Sequence, residues 1–406
     1  MKNLLIAQSG GPSAAINATL VGIIQAAQTN GKIDNIYGAL NGIQGVLEER
    51  FIDLKEKIKD TNTAELLCQT PASALGSCRF ILEDHKKDNE QYRKIIEILY
   101  QHKIGYFIYI GGNDSMDTVY KLSEYCKEKG IEDIIIMGAP KTIDNDLAET
   151  DHCPGFGSAA KYIATTFAEL ERDVAVYQTP AVTIVEIMGR NAGWLTGASA
   201  LSRVNGGTGP GLIYLCERAF DINQFVKDVK AKLKERPSLL IAVSEGLKDA
   251  AGNYISAQVQ SDTADVFGHK YIAGTGRVLE DVVRREIGCK VRSIELNLMQ
   301  RCSAHIASET DLNESKMLGM KAFQCAFEGR SGEMASIHRT CSNPYTVEYT
   351  SVPVSSVANR EKTVPLHMIH RDGNDVTEEM MQYLKPLLQG EVNIRYKNGI
   401  PTYMYL

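Results

Sequence analysis

The sequence predicts an α/β protein built as two doubly wound, mostly parallel-sheet domains. Three observations carry that prediction. Short apolar runs end at glycine turns or at clusters of polar and charged residues. Stretches with helical periodicity lie between them, and such alternation argues a parallel sheet flanked by helices. The 406-residue chain carries more strand-like runs than one sheet usually holds, so two sheets are expected. A boundary near Ala139-Pro140 divides the chain into residues 1–139 and 140–406 and leaves the loop after it in a cleft between the two.

Taken in order, Leu4–Ala7 is a continuous apolar run and reads as a buried strand. It turns at Gly10-Gly11-Pro12 and enters a helix near Ser13, a residue type that caps helices. Ile36–Leu40 reads as a second strand. Tyr106–Ile110 is a third and runs into Gly111-Gly112-Asn113-Asp114-Ser115. Ser115 opens a helix with Met116, Val119, Leu122 and Cys126 on one face. The fourth strand, Ile134–Ala139, delivers Pro140-Lys141-Thr142-Ile143-Asp144-Asn145-Asp146. Val182–Ile187, Leu212–Leu215, Leu239–Val243 and Val291–Leu296 continue the strand pattern, with Ile222–Leu233 a helix among them. Beyond Arg301 only Asp311–Phe327 reads clearly, as a helix, and Ser351–Lys362 reads as a polar loop.

Hydrophobic and charged fractions are those of an ordinary globular chain. A net charge of −6 gives no electrostatic case for nucleic acid or membrane binding, so any anionic ligand must be met by locally clustered Arg and Lys. Nine scattered cysteines, an odd number with no CxxC pair, argue against a disulfide framework or a zinc site and fit a reducing, cytoplasmic compartment. The apolar run at the N-terminus is too short for a signal peptide, and no stretch has the length of a membrane span. His152, His269 and His305 show no ligand spacing, and Trp194 reads as core.

Two strands thus deliver acids, a lysine and a glycine turn to one sheet edge, where open α/β sheets bind ligands. The residue types suit phosphoryl transfer: backbone amides and a cation for phosphate oxygens, and a carboxylate to take a hydroxyl proton. There is no Walker A pattern, which argues against a P-loop kinase. Taken alone, GGP is most often a tight turn and two acids in a loop are most often structural. PKTIDND at 140–146, preceded by GGNDS at 111–115 and followed by Met188-Gly189-Arg190, resembles the phosphofructokinase family, and within it the pyrophosphate-dependent branch. The match runs from Gly10-Gly11 to about Arg301.

That resemblance implies an active site in the cleft, with C-terminal segments crossing back to the first domain. It implies reversible phosphoryl transfer from pyrophosphate to the 1-hydroxyl of fructose 6-phosphate, with Mg2+ as cofactor and a homodimer or homotetramer as the assembly. Asp144 matches the family's general base, and Lys141 a lysine of its pyrophosphate users, where ATP users carry glycine. Gly11, Arg79, Asn113, Asp114, Ser115 and Lys141 match donor-binding positions. At Asp114 a carboxylate would occupy the space and charge of a nucleotide α-phosphate, and like charges repel by several kcal/mol in a desolvated site. Asn113 stands where the family commonly has a metal-binding acid. A neutral amide is a weaker Mg2+ partner, for which Asp114 can substitute. Thr142, Ile143, Asp144, Met188, Gly189, Arg190, Glu245, Arg292 and Arg301 match sugar-phosphate positions.

Two family features are missing. Leu298 replaces a His or Tyr, and Ala181 stands near an arginine of the bacterial ATP enzymes. Val21 and Gln25 stand where those enzymes carry effector-binding arginines, which implies a non-allosteric protein. An ATP-dependent enzyme of the same fold, or a non-catalytic subunit, are the alternative readings.

Overall fold

The structure is a computed structural model that describes residues 2–176, 178–258 and 274–406; His269 lies outside them. Strands β1 (Lys2–Gln8), β2 (Ile33–Ala39), β3 (Phe51–Asp53), β4 (Ile104–Gly111) and β5 (Ile135–Pro140) form a first sheet. A hairpin from far along the chain, β10 (Glu333–Ser342) and β11 (Tyr345–Pro353), completes it in the order β11-β10-β5-β4-β1-β2-β3. The five inner strands run parallel and the two edge strands antiparallel. A second sheet, wholly parallel, is made by β6 (Ala181–Ile187), β7 (Leu212–Tyr214), β8 (Ser238–Ser244) and β9 (Lys290–Glu295) in the order β7-β8-β6-β9.

The inner strands of both sheets are buried on two faces, which is why they read as unbroken apolar runs rather than alternating ones. In β1, Leu4 and Ile6 enter one hydrophobic cluster and Leu5 and Ala7 the cluster on the opposite face. In the second sheet, Val185 and Ile187 face one cluster and Val182 and Ile184 the other. Each fully buried Val, Leu or Ile among them contributes roughly 1.5–3 kcal/mol.

The first helix starts at Ile16 rather than near Ser13, although the Ser13 hydroxyl accepts the Ile16 N–H at 3.1 Å. The helix predicted from Ser115 begins two residues earlier and spans Asn113–Glu128, with Met116, Val119, Leu122 and Cys126 buried as expected. Helix Glu309–Phe327 packs on helix Ile16–Asn30 in backbone contact. A Cβ on Gly22 would stand 2.0 Å from Lys316 O, and one on Gly319 would stand 2.1 Å from Thr19 O. These glycines let the C-terminal part of the chain lock onto the first sheet, where the β10–β11 hairpin joins it. The segment predicted as a polar loop from Ser351 is apolar in part: Val354 and Val357 are fully buried in the cluster that holds Leu147 and Cys153.

Candidate active site

The carboxyl ends of five strands converge. Gly10-Gly11 follows β1, Gly112-Asn113 follows β4, and Lys141–Asp146 follows β5. Met188-Gly189-Arg190 follows β6, and Glu245 follows β8. Lys141 fastens three of these ends together. Its main-chain N–H donates to Gly111 O at 2.9 Å, and its ammonium donates to Gly11 O at 2.5 Å. The side chain is buried at 3% exposure. Burial pushes its pKa down to about 8 and outweighs the attraction of Asp144 and Asp146, while the Arg301 charge lowers it further.

Asp144 follows one turn later, half-buried, with its N–H donating to Thr142 Oγ1 at 3.1 Å. Desolvation raises its pKa; Lys141, Arg190 and Arg301 oppose that rise and Glu361 adds to it. Asp146 is pushed up to about 7 by burial and then by the charges of Asp144 and Glu361. The loop thus places two carboxylates among three cations in an enclosed site, where each charge interacts far more strongly than in water. Ile143 anchors the turn in the hydrophobic cluster under the second sheet.

Across the cleft, Gly189 adopts φ 131°, and a Cβ there would stand 2.4 Å from Ala192 O, so glycine is required at this turn. Gly189 N–H donates to Glu245 Oε1 at 3.2 Å, and Met188 N–H to Gln300 Oε1 at 3.3 Å. Glu245 is pushed up to about 7 by burial and then by the Asp144 charge. Arg190 Nε is buried without a hydrogen-bond partner among the described residues, an orphaned donor of the kind a bound anion satisfies. Arg301 stands at the junction of the two halves, its guanidinium 3.3 Å from where a Cβ on Gly11 would be. Burial lowers its pKa, and Arg79 lies close enough to add to that.

Ser115 is buried in the first turn of helix Asn113–Glu128, and Asp114 is exposed beside it. Both ends of the Asn113 carboxamide are engaged by the chain. Its Oδ1 accepts the Asn359 N–H at 2.7 Å and its Nδ2 donates to Arg360 O at 3.0 Å. The helix begins at Asn113 itself, which turns this side chain toward the C-terminal segment. Among the described residues no three His, Cys, Asp or Glu side chains are grouped to hold a metal ion. Arg292 is not brought to the cluster. It is exposed on the edge strand β9, in register with Thr183, four residues before the end of β6 and so roughly 13 Å short of it.

Most of the residues that sequence reasoning missed lie in one segment, Asn359–Val364. Glu361 faces Asp144 and Asp146 and accepts from Asn191 Nδ2 at 2.9 Å. Lys362 donates to main-chain carbonyls of the turn after Asp146. Glu217, which had no role from sequence, accepts the N–H groups of Gly193 and Val364, both at 2.8 Å, and so ties the Met188–Gly193 loop to this segment. No motif marks these residues, which tertiary contacts alone bring together.

The fold and this site define a phosphoryl-transfer protein of the phosphofructokinase type. The phosphofructokinase family model matches residues 3–326, and the chain belongs to that family. It is 39% identical over 407 residues to the pyrophosphate–fructose 6-phosphate 1-phosphotransferase of Xanthomonas campestris pv. campestris, covering 100% of this chain and 96% of that one. The enzyme of the same name from Rhodospirillum rubrum is 40% identical over 95% of this chain and 94% of its own. The crystal structure of the pyrophosphate-dependent phosphofructokinase from Nitrosospira multiformis superposes with a TM-score of 0.88 at 35% identity, covering 100% of this chain and 96% of that one.

Proposed function

We propose that this protein transfers a phosphoryl group reversibly from pyrophosphate to the 1-hydroxyl of fructose 6-phosphate, giving fructose 1,6-bisphosphate and phosphate. The observation that carries this reading is the buried ammonium of Lys141, held between Gly11 and Asp144. Asp144 acts as general base. It accepts the proton of the attacking hydroxyl, and its raised pKa brings it closer to neutrality, where a base works best. Lys141 meets the charge that develops on the transferring group, and Arg301 binds the phosphate of the sugar. The amides at Gly11 and in the first turn of the helix holding Asp114 and Ser115 receive pyrophosphate, with Arg79 reaching it from the Arg301 side.

Thr142, Met188, Gly189, Arg190 and Glu245 line the sugar side. Arg190 binds phosphate, and Glu245 accepts a sugar hydroxyl. Magnesium carried with the donor would neutralise phosphate charge. It relies largely on water and phosphate oxygens, so one carboxylate at Asp114 fits it, whereas Asn113 serves to hold the Asn359–Arg360 segment. Asp114 also disfavours the α-phosphate of ATP.

Residues 1–139 form the donor-binding domain and 140–406 the sugar-binding domain, supported by β1–β5 sharing a sheet to which β10 and β11 return. A cytoplasmic homodimer or homotetramer completes the reading, on the strength of the family resemblance and of nine cysteines that stand as free thiols. The effector positions of the ATP enzymes fall on Val21, fully buried, and Gln25, neither a partner for an effector phosphate. Phosphorus NMR of the protein with fructose 6-phosphate, pyrophosphate and Mg2+ tests the proposal. A new phosphomonoester and inorganic phosphate should appear together, and their absence would reject it.

A further inference from the structure

Lys362 lies beneath the Asp144 turn and has no part in the chemistry above. Its main-chain N–H donates to Asp146 O at 2.7 Å, and its carbonyl accepts from Trp194 Nε1 at 3.1 Å. Its ammonium donates to Thr150 O at 2.9 Å and Asp151 O at 2.8 Å, and reaches Asn145 Oδ1 at 3.5 Å. Asn145, fully buried between the two acids of the turn, sits at φ 57°. That left-handed conformation is one L-residues avoid and asparagine tolerates best.

The Asn145 carboxamide is held on three sides. Its Oδ1 accepts from Cys153 N at 3.0 Å as well as from Lys362, and its Nδ2 donates to Tyr383 OH at 3.0 Å. Tyr383 OH in turn donates to Asp151 O at 2.7 Å, the carbonyl that Lys362 also holds. Two residues separated from the turn by more than two hundred positions therefore converge on one side chain and one carbonyl. The carboxylate of Asp144 hangs from the residue before this clamped asparagine.

We propose that Lys362 and Tyr383 are positioning residues, which hold the left-handed Asn145 and thereby fix the carboxylate of Asp144 for proton transfer. This rests on the reading of Asp144 as general base. Neither side chain is given contact with substrate. Loss of either should therefore lower turnover without weakening binding, a split that a general loss of structure does not produce.

The test is steady-state kinetics with fructose 6-phosphate and pyrophosphate for Lys362→Met, Tyr383→Phe, Asn145→Gly, Asp144→Ala and the two clamp variants in the Asn145→Gly background. Misplacing reacting groups by an ångström costs up to about a hundredfold, so Lys362→Met should lower kcat about ten- to hundredfold and Tyr383→Phe about tenfold. Each KM should stay within about threefold, the span left when ground-state binding is untouched. Glycine adopts a left-handed φ without cost and offers no carboxamide to hold. In that background each clamp variant should therefore lower kcat by less than about threefold further, the mark of sites acting as one unit.

Tyr383→Phe keeps the ring on Trp194, 5.2 Å between centroids, and under the Arg339 guanidinium at 4.6 Å. It decides the matter together with Asn145→Gly if Lys362→Met does not fold. Folded variants with unchanged kcat, losses confined to KM, or full additivity with Asn145→Gly would overturn the proposal. Near-normal turnover in Asp144→Ala would instead overturn the base assignment. A collapse there beside an unaffected Tyr383→Phe would overturn the positioning role alone.

Discussion

Replacing Lys141 by methionine keeps the side chain's length and removes its charge, and the structure gives the consequence two opposite signs. Holding a buried ammonium at a pKa of about 8 instead of its ordinary 10.5 costs about 3 kcal/mol of stability at neutral pH. Because the folded pKa is the lower one, that cost is present in full below pH 8. It disappears as the pH rises from 8 to 10.5. The variant also loses the bond to Gly11 O, worth about 1 kcal/mol net. Lys141→Met should therefore be more stable at pH 7, by about 2 kcal/mol, read as a higher urea midpoint.

Activity should move the other way. Removing one preorganised donor aimed at developing charge costs about 10²–10³-fold in kcat. In the unmodified protein the cation is the working form. kcat/KM for pyrophosphate, corrected for the donor's own ionisation, should fall about tenfold per unit above about pH 8. The variant should lack that limb. The assay couples fructose 1,6-bisphosphate formation to NADH oxidation between pH 6.5 and 9.5, a range chosen to bracket a pKa of about 8. A variant within about threefold of normal turnover, or one that keeps the limb, would refute the reasoning, since a donor aimed at developing charge is typically worth about 10²–10³-fold.

Asp144→Ala should lower kcat by about two to four orders of magnitude with little change in either KM, and near-normal turnover would remove it as the base. Arg301→Ala should raise the KM for fructose 6-phosphate by about ten- to a hundredfold, the worth of a charge-assisted contact, and an unchanged KM would make it structural. Asp114 is exposed, which weakens its repulsion of ATP below what a desolvated site would give. At about 1 kcal/mol per facing charge in water, Asp114→Gly should raise kcat/KM for ATP about fivefold to tenfold, and no change would show that something else excludes the nucleotide.

The inner strands were legible because burial on both faces leaves a continuous apolar run, as in Leu4–Ala7 and Ile134–Ala139. The hairpin that completes the first sheet was not. Only Met334–Ile337 of β10 is buried, and the rest of the hairpin lies at the protein surface. The period-two alternation from Tyr345 to Ser351 was the available signal. Within the site, the residues of PKTIDND, GGNDS and MGR were found because each follows its strand directly, so sequence neighbours stay neighbours in space. Arg292 was placed by motif position alone, which says nothing of which way an edge strand faces. Glu361, Lys362 and Tyr383 reach the turn from loops and a short helix whose sequences carry no periodicity, and only the packed chain reveals their contacts.

The central claim is that pyrophosphate, not ATP, is the phosphoryl donor. The most direct measurement is kcat/KM for each donor with the unmodified protein, at saturating fructose 6-phosphate and Mg2+ and a single pH near 7. The account predicts a pyrophosphate value at least about a hundredfold above that for ATP, the discrimination expected where the donor's cation is built in and a carboxylate faces the nucleotide. Equal values, or a preference for ATP, would contradict it.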